Sequence, residues 1–212
     1  MNKKEAKILT GGLSRPSKMP GYAYNLPATR CNVGSKLVKV PGSVCNDCYA
    51  LKNRYKFSNV KEALERRYQA AKNNPGWIYG MVYLIQATKH KEFRWHDAGD
   101  LIDLQHLLRI FEVCKLTPDV KHWLPTREAQ ILSNIDPRMV PDNLIIRLSA
   151  TMVDGPAPKS WPWTSTVVKD GASCPAPKQN NECKDCRACW DKKVKNISYG
   201  KHWNAVLNIF RY

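Results

Sequence analysis

Phe93-Arg94-Trp95-His96-Asp97-Ala98-Gly99-Asp100 reads as a short apolar strand that closes in a polar cluster, and the same theme returns twice further along the chain. His122-Trp123-Leu124 leads into Thr126-Arg127-Glu128, and Leu144-Ile145-Ile146-Arg147-Leu148 leads into Ser149. Between the first two strands Leu104, Leu107, Leu108, Phe111 and Cys114 recur at helical spacing, and Ala129 to Ile135 forms a shorter helix before the third. Strands alternating with helices imply βαβ units on a parallel sheet. The polar strand ends favour a (β/α) barrel, where the carboxyl ends of the strands converge on one face. At 212 residues the chain is short for eight units. The expected fold is therefore α/β, an incomplete TIM-like barrel of about six units with a cysteine-rich N-terminal loop and a C-terminal extension.

Working outward, Ser165 to Val168 is a further strand, Asn59 to Lys72 a helix with an Asn59/Glu62 capping box, and Asn74-Pro75 opens a helix that runs to about His90. The first sixty residues are rich in Gly, Pro, Asn and Ser, with Lys7 to Thr10 and Lys36 to Val40 as short strands. We read a single domain over residues 1–212. Residues 1–58 form its loop-rich cysteine segment, 59–170 the βα units and 171–212 the cysteine-rich C-terminal segment.

Composition narrows the function. With 43% hydrophobic and 25% charged residues the chain builds an ordinary core, and no apolar run is long enough to cross a bilayer. The start Met1-Asn2-Lys3-Lys4-Glu5 leads into no apolar leader, so the expected location is the cytoplasm. Thiols are kept reduced there, so eight cysteines point to metal or chemistry rather than disulfides. The net charge of +16 makes nucleic acid or another polyanion a candidate partner, against a solubilising surface as the alternative.

Cys114 falls on an apolar helical stripe and reads as a small buried hydrophobe. The other seven cysteines form two groups. Cys183-x2-Cys186-x2-Cys189, with Cys174 upstream, wraps several thiolates around one centre and resembles ferredoxin ligation more than a zinc ribbon, with zinc as the alternative metal. Cys31, Cys45 and Cys48 make a three-thiolate set. Three ligands leave one position of a 4Fe-4S cluster, or of a zinc ion, open for water or substrate, which marks a reactive site. The two groups hold one or two clusters, and they either stand apart or trade ligands.

The layout of a Cys-x2-Cys-Tyr loop, a helix and then a strand ending in Asp97-Ala98-Gly99-Asp100 resembles that of radical SAM enzymes. The resemblance implies a 4Fe-4S cluster on Cys31, Cys45 and Cys48. It also places Asp97 to Asp100 where that superfamily receives the amino group of S-adenosylmethionine, with Tyr49, Asp97 and Asp100 as cofactor-contacting residues. His96, Asp97, Asp100, Arg127 and Arg147 would then face the reaction. A reduced cluster would cleave S-adenosylmethionine to a 5′-deoxyadenosyl radical.

Over most of its length the chain is similar to the gene product 88 family of tailed phages. The similarity rests on Tyr22 to Ala28, Gly34 to Leu37, Pro41 to Ala50, Arg94 to Leu101 and Cys186 to Trp190, and it implies a phage origin and the host cytoplasm. Tyr49 and Trp190, each beside a cysteine, either shield a cluster or pack the core. Arg127 and Arg147 either grip a carboxylate or phosphate or serve structural ion pairs. A basic zinc protein that recognises nucleic acid is the competing reading.

Overall fold

Six parallel strands lie side by side in the order of the chain in the computed structural model, which describes residues 1–201. They are β1 Tyr22–Tyr24, β2 Glu92–Trp95, β3 Lys121–Thr126, β4 Leu144–Val153, β5 Thr164–Val168 and β6 Asn196–Gly200. Each pairs in parallel with the next. The fold is thus α/β on a six-stranded parallel sheet, and β1 and β6 are its two edges.

The helices are α1 Lys3–Thr10, α2 Asn32–Leu37, α3 Ser58–Asn73, α4 Trp77–Ala87, α5 Leu104–Lys115 and the single turn α6 Ala129–Leu132. One face of the sheet is buried with Trp77, Met81 and Ile85 of α4 and Leu107, Ile110 and Phe111 of α5, against Phe93, Trp95, Leu124, Ile146 and Leu148. Alternation along the strands sends Trp123, Ile145 and Ile197 to the other face, where they meet Cys189 and Trp190 of the C-terminal segment. Side-chain parity therefore divides β3 and β4 between a helical layer and a cysteine-bearing plug.

At the heart of the helical layer the Tyr24 hydroxyl lies 2.6 Å from the Thr10 carbonyl and 2.7 Å from that of Arg67, and accepts the Trp77 indole N–H at 3.0 Å. One buried phenol thus ties β1 to α1, α3 and α4. Such a group is retained in a core because its partners satisfy it.

Several local expectations are corrected. Lys7 to Thr10 is the second half of α1 and not a strand. The Asn2 side chain accepts from the Lys4 and Glu5 amides, Glu5 reaches back to the Asn2 amide, and Gly11 ends the helix at φ 78°. Lys36 to Val40 closes α2 and turns. The expected Asn59/Glu62 box is not used: α3 begins a residue earlier, after Phe57, without a side-chain cap. The helix after Pro75 starts at Trp77 and stops at Ala87, with Lys89 in the left-handed region at φ 57°. The helix expected from Ala129 to Ile135 is only the four-residue α6. β1 and β6 were not expected as strands at all.

Candidate functional site

The segment between β1 and α3 carries three of the cysteines over the carboxyl ends of the strands. Cys31 is the residue before α2, and Cys48 precedes a 3-10 turn at Tyr49–Leu51. Gly42 to Val44, just ahead of Cys45, is annealed to the end of β4. The Val44 amide donates to the Thr151 carbonyl at 2.9 Å, and the Val153 amide to Gly42 at 3.0 Å. The Ser43 hydroxyl donates to the Leu37 carbonyl at 2.6 Å, and the Cys48 amide to the Cys45 carbonyl at 3.1 Å, so the loop has a fixed form.

Gly34 lies beside two of the thiols. A Cβ at this position would lie 3.0 Å from the Cys31 Cβ, 3.6 Å from the Cys31 Sγ and 3.7 Å from the Cys45 Sγ. Both sulfurs therefore lie within van der Waals reach of one point beside Gly34, and the Cys31 Cβ is the atom a side chain there would crowd. Burial pushes the Cys31 thiol well up, and the neighbouring Asp100, Cys48, Cys45 and Glu128 push the same way. Burial also raises Cys45, opposed by the cation of Arg127. The three cysteines, Asp100, Arg127 and Glu128 thus share one field. In it the Cys31 and Cys45 thiols keep their protons, and an added cation is the change that would favour thiolates. Among the described residues no three His, Cys, Asp or Glu side chains stand close enough to hold a single metal ion as they are.

Asp97 and Asp100 are both engaged by the protein itself. Asp97 Oδ1 pairs with Arg94 at 2.9 Å, Oδ2 accepts from the Tyr55 hydroxyl at 3.3 Å, and its amide donates to the Asn25 side chain at 2.8 Å. The Tyr49 hydroxyl donates to the Asp97 carbonyl. Asp100 Oδ1 accepts from the Thr126 hydroxyl at 2.6 Å and the Leu101 amide at 2.8 Å, and Oδ2 from the Arg127 amide at 2.9 Å. Burial raises the Asp100 carboxyl despite these donors. Between them Gly99 turns at φ 83°, where a Cβ would fall 2.5 Å from the Leu26 carbonyl oxygen. Asp100 therefore fastens the β2 loop to the β3 loop.

His96 does not pair with Asp97. It sits at φ 59° and is 3% exposed, and among the described residues neither ring nitrogen has a hydrogen-bond partner. Its ring centroid is 5.4 Å from that of His106, whose Nε2 is also unpartnered. Burial lowers His96 to about 3, so the imidazole is neutral.

Arg147 is placed elsewhere than expected. It points to the plug face, fully buried, and donates to backbone carbonyls of the C-terminal segment: Val194 and Ala188 at 2.9 Å, Asp191 at 3.0 Å and Cys189 at 3.1 Å. It holds no carboxylate and does not converge with Arg127. Parity decides this, because Arg147 shares its face with Ile145. Among the described residues Arg127 forms no ion pair, and its buried Nε has no partner. Glu128, part of the polar end of β3, accepts the Val33 amide at 3.0 Å and belongs beside the thiols.

The second cysteine group stays apart. The thiols acting on Cys183 are Cys174 and Cys186, while those acting on Cys31 are Cys45 and Cys48. Burial raises Cys189 to about 11, opposed by its contact with Tyr199 at 3.2 Å. The Trp190 indole donates to the Phe93 carbonyl at 3.0 Å, so Trp190 anchors the plug. Cys114 is fully buried on α5, as expected. Lys3, Lys4 and Lys7 line a groove with Arg66, but Glu62 and Glu65 line it too, so the basic excess is not focused there.

Residues 1–192 match the family described as gene product 88. The chain belongs to the gene product 88 family. No curated protein and no solved structure matches it. Membership in gene product 88 covers the N-terminal cysteine loop, the sheet through β5 and the Cys183 to Cys189 run, so both thiol sets fall inside the matched span. No helix among the described residues is long and apolar enough to cross a membrane.

Proposed function

We propose that the chain is an iron-sulfur protein in which Cys31, Cys45 and Cys48 bind a 4Fe-4S cluster that leaves one iron open. The observation that carries this reading is that the Cys31 and Cys45 sulfurs both lie within 3.7 Å of one point beside Gly34, with Cys48 in the same field. Three thiols are the donor set proposed for the cluster. Each thiolate of a cluster binds its own iron, so the sulfurs stand wider apart than around a single tetrahedral ion, where metal and sulfur lie about 2.3 Å apart.

The cluster, when bound, supplies single-electron chemistry to a ligand at its open iron. The protein's own residues do the rest. The strap from Gly42 to Val44 on β4 fixes where Cys45 stands. Arg127 offsets negative charge beside Cys45. Tyr49 fastens the loop to the β2 end through the Asp97 carbonyl.

S-adenosylmethionine is the proposed occupant of the open iron, in the manner of radical SAM enzymes, with the parallel sheet serving as a partial barrel of TIM type. What supports this is the order of parts: thiols after β1, the Asp97 to Asp100 segment after β2, and strands in sequential parallel order. Because both carboxylates of that segment already accept internal donors, its backbone would have to receive the amino group. The proposed setting is the host cytoplasm. Anaerobic purification tests the cluster: a brown protein with about four irons and matching sulfide per site supports it. A protein that keeps its iron when Cys31, Cys45 and Cys48 are all replaced by Ala refutes it. Titration with S-adenosylmethionine then tests the occupant, through a change in the spectrum of the reduced cluster.

A further inference from the structure

A cavity of about 440 Å³ opens beside β4, between Leu148–Met152 and the following loop through Gly155 to Ser160. Arg127 and Lys159 line it, together with Leu148, Ser149, Thr151 and Met152. No carboxylate lines it among the described residues. Its volume is in the range of sites for small organic ligands.

Arg127 is the unusual part. Its Nε is buried without a hydrogen-bond partner, and its guanidinium has no carboxylate partner among the described residues. Leaving a buried donor of a charged group unpaired is costly, so such a group is normally found with its partner in place. Lys159 is exposed at the mouth and makes no ion pair among the described residues. A cation within and a cation at the rim make a site that attracts anions and rejects cations.

We infer that this cavity binds a small organic anion, with its carboxylate or phosphate head on Arg127 and Lys159 and an apolar body against Leu148 and Met152. The guanidinium fork suits either head group. No cysteine lines the cavity, although Arg127 also acts on Cys45 from its edge.

Calorimetric titration of the protein as purified anaerobically, at low salt, tests it with benzoate and phenyl phosphate as probes and benzyl alcohol as the neutral control. One-to-one binding of an anion, with none of the alcohol, is expected, and the stronger of the two anions identifies the head group. Arg127→Gln should weaken the binding by at least about tenfold, as loss of a charged hydrogen bond does. Lys159→Ala, an exposed change that leaves the fold alone, should weaken it severalfold. The Met152 methyl signal should shift with the bound anion. Absence of binding by both anions overturns the proposal. So does binding that Lys159→Ala leaves unchanged with the Met152 signal unmoved, because the anion then sits elsewhere on the basic surface.

Discussion

Replacing Arg147 with Met should detach the C-terminal plug from the sheet. The guanidinium donates to six carbonyls, five on the segment from Ala188 to Lys195 and one, Thr164, on β5, and four of the five lie within 3.1 Å. A hydrogen bond to a charged group contributes about 1.5–3 kcal/mol, and a buried acceptor left dry costs about 1–3 kcal/mol. These contributions share one cation and do not add. Burial also lowers the pKa of Arg147, which is the cost of keeping the charge inside, and Met removes that cost. The net loss is therefore about 4 kcal/mol, a large part of a typical stability of about 5–15 kcal/mol. With a urea slope of about 2 kcal/mol/M the midpoint should fall by about 2 M. Hydrogen exchange at the amides of residues 188–195 should accelerate more than exchange in α4 or α5. Arg147→Lys, which keeps the charge but offers a point donor on a different stem, should recover part of the loss only. A midpoint shift below about 0.5 M, with plug protection unchanged, would refute the assignment of Arg147 as the clamp.

Three further outcomes are expected. Gly34→Val should leave the circular dichroism of the helices in place while reducing iron content, since the new side chain crowds the Cys31 Cβ within reach of the Cys31 and Cys45 sulfurs; full iron loading would show that this point is not the site. Burial lowers His122 to about 3, so the native state takes up fewer protons than the unfolded chain as pH falls below the unfolded value, and this contribution to stability is lost there. His122→Phe should accordingly make the fall in urea stability between pH 7 and 5 shallower by up to about 1.4 kcal/mol per pH unit, and an unchanged slope would contradict a buried neutral imidazole. Cys114→Ala should cost about 1 kcal/mol in thermal or urea unfolding and leave metal content untouched, because that thiol is packed in the helical layer away from both groups.

How much of this was legible in the sequence depends on what fixes each part. β2, β3, β4 and α5 were readable because burial on one or both faces writes a period of two or a stripe into the residues, as in Leu144 to Leu148 and Leu104 to Cys114. β1 has only three residues and β6 is Asn196-Ile197-Ser198-Tyr199-Gly200, so neither has a pattern long enough to stand out; the sheet makes them strands. α1 carried a readable signal, the Asn2/Glu5 box and Gly11, which the apolar look of Ile8-Leu9 concealed.

At the site, the grouping of Cys31, Cys45 and Cys48 followed from their spacing, and the structure brings their thiols into one field with Asp100 and Arg127. The direction of Arg147 did not follow. Its alternation with Ile145 was visible, but which face the C-terminal segment covers is a tertiary fact. Glu128 was missed for the same reason, since its partner is an amide 95 residues away in the chain.

The most direct test of the central claim compares iron, sulfide and zinc in anaerobically purified wild-type protein and in a variant with Cys31, Cys45 and Cys48 replaced by Ala. The account predicts broad thiolate-to-iron absorption in the wild type and, in the variant, the loss of about four irons with equal sulfide while the fold is kept. A colourless wild-type protein carrying stoichiometric zinc would contradict it.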